Sequence, residues 1–529
     1  MGTSESKLTE NAGTPDRCFW LTKECLERAQ KRTSLPTRSI SPKFHFKQCE
    51  YLVDKLRLAV VQMEGYYPLE NVVQAKELYV LVDGFRLLYA LSREVDSFTQ
   101  ICCKDTWIQA ALTMTNVSEL VSSVGFNLEL MRIAYTLAER FCLADVDGVY
   151  NTEVQSVKEK ASSDVRTLST SLNAVLRSGK SSISEQQLAA FILDRLHKRS
   201  SASSQSSLSE AVLSLRHGAL HQLGKGASAT VYGWTWLGAE LVVKTFYGED
   251  NEDFSKEVLV LKELSHLNII TFFCFAKGHS TCSIVMEKMD EDLHSLIQRR
   301  KESRGPNEPP FHLLEAMDIM LQIGGGMQYL HESRIAHRDL KSLNVLVKCV
   351  KAASDWEIEY VRAKVADFGM SKTKLKSMTF SNQTPNMGTT RWIAPELIKL
   401  ADAESKEEMS ECETTVEKYP LKCDIYSFAM VGYEILTGKI PFPNISNPKE
   451  VKRLVLKGER PQLPDRCPTR LKNLIKRCWS EDPQKRPAFG DICTELWHMK
   501  FCFIAGNGGL LRSSVELSES QMDSLKLFF

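Results

Sequence analysis

Three stretches decide the fold: IAHRDLKSLNVLV (335–347), KVADFGMSK (364–372) and GTTRWIAPEL (388–397). Asp339 is placed to accept or orient the proton of a hydroxyl nucleophile, and Lys341, two residues on, to reach a transferred phosphoryl group. Asn344 and Asp367 offer hard oxygen atoms, the donor type that suits Mg2+. Phosphoryl transfer asks little covalent chemistry of a protein. It needs positive charge around the phosphoryl oxygens and an aligned hydroxyl, which these residue types can supply.

Upstream, LGKGASATVYG (223–233) sets Gly224 and Gly226 where a backbone can turn tightly over phosphates, with Val231 positioned to cover a base. Alone, such a glycine pair is as readily the turn of a hairpin. Lys244 ends the apolar run Leu241-Val242-Val243, and Glu257 lies in a helical stretch ahead of LSHLNII. A strand lysine paired with a helix carboxylate holds an ammonium against α- and β-phosphates. Taken singly, the two read equally as an exposed strand lysine and a solvated helix glutamate.

In this order the Gly-rich loop, strand lysine, H-R-D, D-F-G and A-P-E make residues from about 217 to 501 similar to a eukaryotic protein kinase domain. LKSLN, GTTRWIAPE and CWSEDPQKRPAF further resemble the tyrosine-kinase-like branch of serine/threonine kinases, especially its plant-type members. The resemblance implies a two-lobed α+β fold that uses ATP and Mg2+ on a protein substrate. It places Asp339, Lys341, Lys244 and Glu257 in catalysis and Asn344 and Asp367 on the metal. ATP would meet Leu223, Gly224, Lys225, Gly226, Ala227, Ser228, Ala229, Thr230, Val231, Lys244, Glu287 and Met289. Met286 to Met289 would form the hinge beside adenine, with Met286 as gatekeeper, while Arg486 anchors Glu396 and Asp424 braces the catalytic loop.

Lys341 and Thr389 match the pair that links the catalytic aspartate to the substrate platform in Ser/Thr kinases, so Ser/Thr hydroxyls are the expected acceptors. Three positions depart from the family pattern: Ala229 for the third loop glycine, Val242 for an alanine, and Ala429 for a glycine. Extra bulk at Ala229 and Val242 would stiffen the flap and crowd adenine. The polar segment from Thr373 to Met387 fits an activation loop, with Ser381 and Thr384, then Thr379, as phosphosites and Arg338 as the phosphate's partner.

Before this unit the pattern is helical. Cys49, Val53, Leu56, Val60 and Met63 recur at helical spacing, as do Leu78, Leu81, Phe85 and Leu88, then Phe126, Leu130, Ile133 or Ala134, Leu137 and Phe141, and finally Leu188, Phe191, Ile192 and Leu196. The expected organisation is a tail with a possible first helix (1–43), an all-α helical bundle (44–198), a Ser-rich linker (199–214), the bilobal domain (215–503) and a C-terminal tail (504–529). The acidic stretch 402–418 reads as a solvated insertion. The bundle resembles the four-helix bundles that precede the kinase-like domains of mixed-lineage kinase domain-like proteins. A polar linker with no apolar pattern predicts two separable units, the bundle docking onto the kinase-like domain or localising it.

Across 529 residues, 67 basic against 66 acidic side chains give a net charge of +1, which excludes the basic footprint of a nucleic-acid binder. Fifteen scattered cysteines without C-x-x-C spacing suit free thiols in a reducing, cytoplasmic setting. Met1-Gly2-Thr3-Ser4-Glu5-Ser6 matches the N-myristoylation pattern, which allows peripheral membrane contact. One rival from another class stays open at this point: a signalling adaptor whose bundle is the effector and whose kinase-like domain is a nucleotide-gated switch.

Overall fold

A computed structural model describes residues 15–34, 41–65, 75–136, 146–200, 220–226, 229–248, 251–278, 280–305, 308–350, 359–373, 390–404 and 421–505. Gly2, nearly all of the Ser-rich segment, most of the acidic 402–418 stretch and the tail beyond 505 lie outside them.

The helical region comprises α1 (Pro15–Ser34), α2 (Phe46–Glu64), α3 (Ala75–Cys102), α4 (Trp107–Thr113), α5 (Val117–Thr136), α6 (Val146–Arg177) and α7 (Ile183–Ser200). The apolar spacing read from the sequence becomes buried seams: Cys49, Val53, Leu56, Val60 and Met63 of α2 all turn inward. Helix α1 precedes residue 44 yet belongs to the same core. Its proline at the first position is pre-set for a helix start, and Cys18, Phe19, Cys25 and Ala29 are buried, with Phe19 edge-on to Phe85 of α3 at 5.4 Å. The possible first helix read within residues 1–43 is thus α1, and among the described residues it packs into the core of the bundle.

The small lobe is an antiparallel five-stranded sheet in the order β1-β2-β3-β5-β4, formed by β1 (His221–Lys225), β2 (Ala229–Trp236), β3 (Ala239–Tyr247), β4 (Phe272–Lys277) and β5 (Thr281–Glu287). β2 and β3 are joined by Leu237 and Gly238, both at positive φ (50° and 86°), the backbone that a two-residue turn needs to match strand twist. Helix α8 (Glu252–Leu261) crosses this sheet, capped by the Asn251 side chain, which accepts from Phe254 N at 3.0 Å.

The large lobe holds α9 (Leu293–Arg304), α10 (Leu313–Glu332), α11 (Pro395–Glu404), α12 (Lys422–Thr437), α13 (Pro448–Leu456), α14 (Thr469–Cys478) and α15 (Phe489–Ile504). Its short strands are β6 (Glu291–Asp292), β7 (Ile335–Ala336), β8 (Val345–Val350), β9 (Tyr360–Val365) and β10 (Lys372–Thr373), paired as β6-β8-β9 and β7-β10. α12 is buried from Cys423 to Leu436 and is the axis of this lobe.

The Ser-rich connection predicts separable units, but the structure joins them through faces that the linker pattern does not report. Helices α3 and α5 pack on α15, and α3 also meets α10, β8 and β9. Phe126 of α5 stands edge-on to Trp497 of α15 at 4.7 Å. Beside it the fully buried Lys500 ammonium donates to Asn127 Oδ1 and Asp318 Oδ1, each at 2.5 Å. Buried Glu94 of α3 forms a fork with Arg362 of β9, whose Nε donates at 3.1 Å. On the small lobe, Arg195 lies over Phe273 at 4.6 Å, and Gln109 donates to the Leu237 carbonyl at 3.3 Å. The bundle thus binds both lobes from behind through satisfied polar contacts set in an apolar seam.

Among the described residues no helix is long and apolar enough to cross a membrane, and the cysteines are free thiols.

Candidate active site

Lys244 sits mid-strand on β3, opposite Val231 of β2 and Ile284 of β5, so strand alternation aims its side chain across the sheet toward α8. Phe254, Val258 and Leu261 bury the inner face of α8 and present Glu257 on the same side. The Lys244 ammonium donates to both Glu257 oxygens, at 2.9 and 2.8 Å, and to Asp367 Oδ1 at 3.0 Å. Its pKa is raised: burial disfavours the charge, but Glu257 and then Asp367 more than reverse that. Asp367 is 48% exposed, and its carboxyl is held low because burial is outweighed by Lys244, with smaller contributions from His337 and Lys341. The Glu257 carboxyl is pushed up instead, because burial outweighs the pull of Lys244, so charge is favoured most firmly on Lys244 and Asp367.

Asp367 takes a left-handed backbone (φ 64°), as does Arg338 (φ 67°), which is strained for residues with a side chain. The surroundings enforce both. Phe368 is completely buried, with its ring 5.3 Å from that of His337, and a His337 ring nitrogen bonds the Ala366 carbonyl at 3.0 Å. The buried Asp424 carboxylate accepts from His337 N at 2.9 Å and Arg338 N at 2.8 Å, and pairs with His331 Nε2 at 2.9 Å. Burial raises the Asp424 pKa, yet His331 first, then His337 and the Arg338 N–H, bring it below the usual range. Asp424 braces the loop as expected.

Within that loop, Asp339 Oδ2 accepts from Lys341 Nζ at 2.7 Å and from Asn344 Nδ2 at 2.9 Å, and the same amide nitrogen donates to the Asp339 carbonyl at 2.7 Å. With its NH2 committed to Asp339, Asn344 keeps its Oδ1 for another partner. A carboxylate and an amide oxygen form a hard donor set, so Asp367 and Asn344 fit Mg2+. Arg486, fully buried, holds Glu396 in a fork of 2.6 and 2.8 Å.

The nucleotide-facing segment is partly described. Gly224 pairs with Val231 and Lys225 with Thr230 across β1 and β2, and Leu223 is 51% exposed, an apolar surface left open above the cleft. Ala227 and Ser228 lie outside the described residues, as do Thr379, Ser381, Thr384 and Thr389. Ala229 is buried in β2 opposite Phe246, so its methyl packs into the sheet. Val242 is buried between Gly233 on one neighbouring strand and Met286 on the other, and the space over Gly233 is taken by the His221 ring. Met289 is half-buried after β5. Glu287 turns its carboxylate away from the cleft, accepting from Lys364 Nζ at 2.5 Å and Thr271 N at 2.7 Å, so any contact with a base falls to its backbone.

Two residues escaped the sequence reading. Glu434 of α12 accepts from Ser342 Oγ at 2.8 Å and Trp392 Nε1 at 2.7 Å, tying the catalytic loop to the segment before Pro395. A lone carboxylate in the otherwise apolar run AMVGYEIL was its signal. Lys364, three residues before Asp367, was masked by an ordinary strand pattern.

A family model described as protein tyrosine and serine/threonine kinase matches residues 218–496, just over half of the chain. The chain belongs to this protein kinase family. It is 45% identical over 505 residues to a light-sensor protein kinase of Ceratodon purpureus, covering 91% of this chain and 38% of that protein. That alignment reaches far beyond 218–496 and takes in the helical bundle as well as the kinase domain. Identity is 34% over 257 residues to a serine/threonine/tyrosine-protein kinase of Arabidopsis thaliana (48% of this chain, 57% of that one). It is 32% over 288 residues to a dual specificity protein kinase of Dictyostelium discoideum (54% and 19%). The chain spans less than two thirds of the length of each of these relatives. Kinase domains of this family use ATP and Mg2+ on protein substrates.

Proposed function

We propose that the chain transfers the γ-phosphoryl group of ATP to serine and threonine hydroxyls of a protein substrate. The observation that carries this reading is the complete charge set: Lys244 locked between Glu257 and Asp367, and Asp339 held by Lys341 and Asn344. Asp339 orients the acceptor hydroxyl and takes its proton. The hydroxyl oxygen bonds to the γ-phosphorus as the bond from that phosphorus to the β,γ-bridging oxygen breaks, and ADP leaves. Lys341 neutralises charge on the moving phosphoryl group, and Lys244, aimed by Glu257, holds the α- and β-phosphates. Mg2+ held by Asp367 and Asn344 would offset phosphate charge. An adaptor lacking catalysis would not need every one of these groups in place.

Lys341, donating to the carboxylate that meets the acceptor, supports Ser/Thr preference, while the relatives' names include both Ser/Thr and dual specificity kinases. Phosphoamino-acid analysis of a labelled acceptor protein is expected to show phosphoserine and phosphothreonine; label mainly on tyrosine would overturn the preference. Ser381 and Thr384 remain the proposed activation-loop phosphosites, with Arg338 as the phosphate's partner and Thr389 at the substrate platform. The free, mostly buried thiols support a cytoplasmic setting for this activity.

A further inference from the structure

The segment Ser265–Asn268, between α8 and β4, is the joint at which the small lobe meets the large one. Helix α8, with Glu257, ends at Leu261 just before it, and β9, which leads into Asp367, is stitched to it: Asn268 Nδ2 donates to the Ala363 carbonyl at 3.0 Å and Val365 N to the Asn268 carbonyl at 2.8 Å. α10 presses on it from below. Ser265 N donates to Tyr329 Oη at 3.0 Å, His266 stacks on the Tyr329 ring, and a Cβ at Gly326 would come within 2.6 Å of the Asn268 carbonyl oxygen. Only glycine allows that approach.

The third hold on this joint comes from the helical bundle. Glu119 of α5 accepts from Leu267 N at 2.6 Å, and Asn116 Oδ1, on a residue with left-handed backbone (φ 51°), accepts from Ser265 Oγ at 3.3 Å. One residue earlier, Thr115 Oγ1 lies 2.8 Å from Thr271 Oγ1. Thr271 in turn receives the Lys364 ammonium at 3.3 Å, and its N–H reaches the Glu287 carboxylate at 2.7 Å, so the contact runs on to the hinge. The bundle is also fixed to the large lobe by Glu94 to Arg362 and by Asn127 to Lys500. One helical unit therefore grips the large lobe and the interlobe joint together.

We infer that Glu119 and Thr115 are positioning residues for phosphoryl transfer, holding the joint so that Glu257 and Asp367 meet Lys244 in register with Asp339. They touch neither nucleotide nor acceptor. Their effect passes through Leu267 and Thr271, and misplacing reacting groups by an ångström is enough to slow transfer by up to about 10²-fold. This rests on the kinase reading above. Activity of the wild-type chain tests that reading, whereas the ratios between variants test this one.

The experiment measures kcat, KM for ATP and melting temperature of the full chain with a generic acceptor protein. Glu119→Ala and Thr115→Val are expected to lower kcat or raise KM for ATP by roughly tenfold or more with little change in melting temperature. Glu119→Gln, whose amide oxygen still accepts from Leu267 N, should return most of the rate. Lys23→Ala, which removes an exposed ion pair within the bundle (Lys23 to Glu64, 2.5 Å), should behave as wild type. Wild-type kinetics in both Glu119→Ala and Thr115→Val would overturn the inference, and so would an equal loss in Lys23→Ala. If Glu119→Ala does not fold, Thr115→Val alone decides.

Discussion

Asp339→Asn is expected to lower kcat by about 10² to 10⁴-fold while leaving Mg2+-ATP affinity within a few-fold of wild type. The substitution keeps the size of the side chain and an oxygen for Lys341 and Asn344, but removes the carboxylate charge that draws the proton from the acceptor. Lys244, Glu257 and Asp367 are not touched, so the phosphate-binding side of the cleft stays assembled. Single-turnover transfer under saturating ATP separates the two effects. A mutant that transfers at the wild-type rate would show that the proton goes elsewhere, and one that loses ATP binding to the same degree would show that Asp339 shapes the nucleotide site instead.

Lys500→Ala is expected to destabilise the chain by about 3–5 kcal/mol, because it strands the buried Asp318 carboxylate and Asn127 amide that its ammonium satisfies. Since one partner lies on the bundle and the other on α10, the loss should be felt by both units: helical signal and tryptophan fluorescence should shift to lower denaturant together. A change under 1 kcal/mol, or a shift in one signal alone, would mean that the seam between α5 and α15 does not weld the units. By the same reasoning, a fragment starting near Ser209 would leave Lys500 without Asn127 and Arg362 without Glu94, and should be less stable than the full chain.

What was legible in the sequence, and what was not, follows from how each feature is encoded. Asp424, Arg486 with Glu396, and Lys244 with Glu257 could be placed because the motifs that carry them resemble those of a protein kinase domain, and each is found in contact. The seams of α2 and α5 were equally readable, since burial on one side of a helix writes a 3.6-residue period. That period does not say what covers the seam. Phe126 meets Trp497 of α15 as well as Tyr150 of the bundle helix α6, and nothing in its spacing announces the first of these contacts. The polar clasps are harder still: Glu94, Glu119 and Asn127 are single residues whose partners lie more than a hundred positions away. Glu287 showed the converse, a residue assigned to the cleft whose carboxylate is bound to Lys364 and Thr271. Helix α1 was legible only as a possible first helix because, of its buried residues Cys18, Phe19, Thr22, Cys25, Leu26 and Ala29, only Phe19 and Leu26 are large hydrophobes.

The central claim is that the groups around Lys244 and those around Asp339 form one phosphoryl-transfer site. The measurement that tests it most directly is transfer of label from γ-labelled ATP to an acceptor protein by the purified full chain, with Mg2+ and with the metal chelated, beside Asp367→Ala. Mg2+-dependent label on the acceptor, lost on chelation and in Asp367→Ala, is the predicted result. Wild-type protein that binds Mg2+-ATP, as seen by thermal shift, yet transfers no label above the Asp367→Ala background would contradict it.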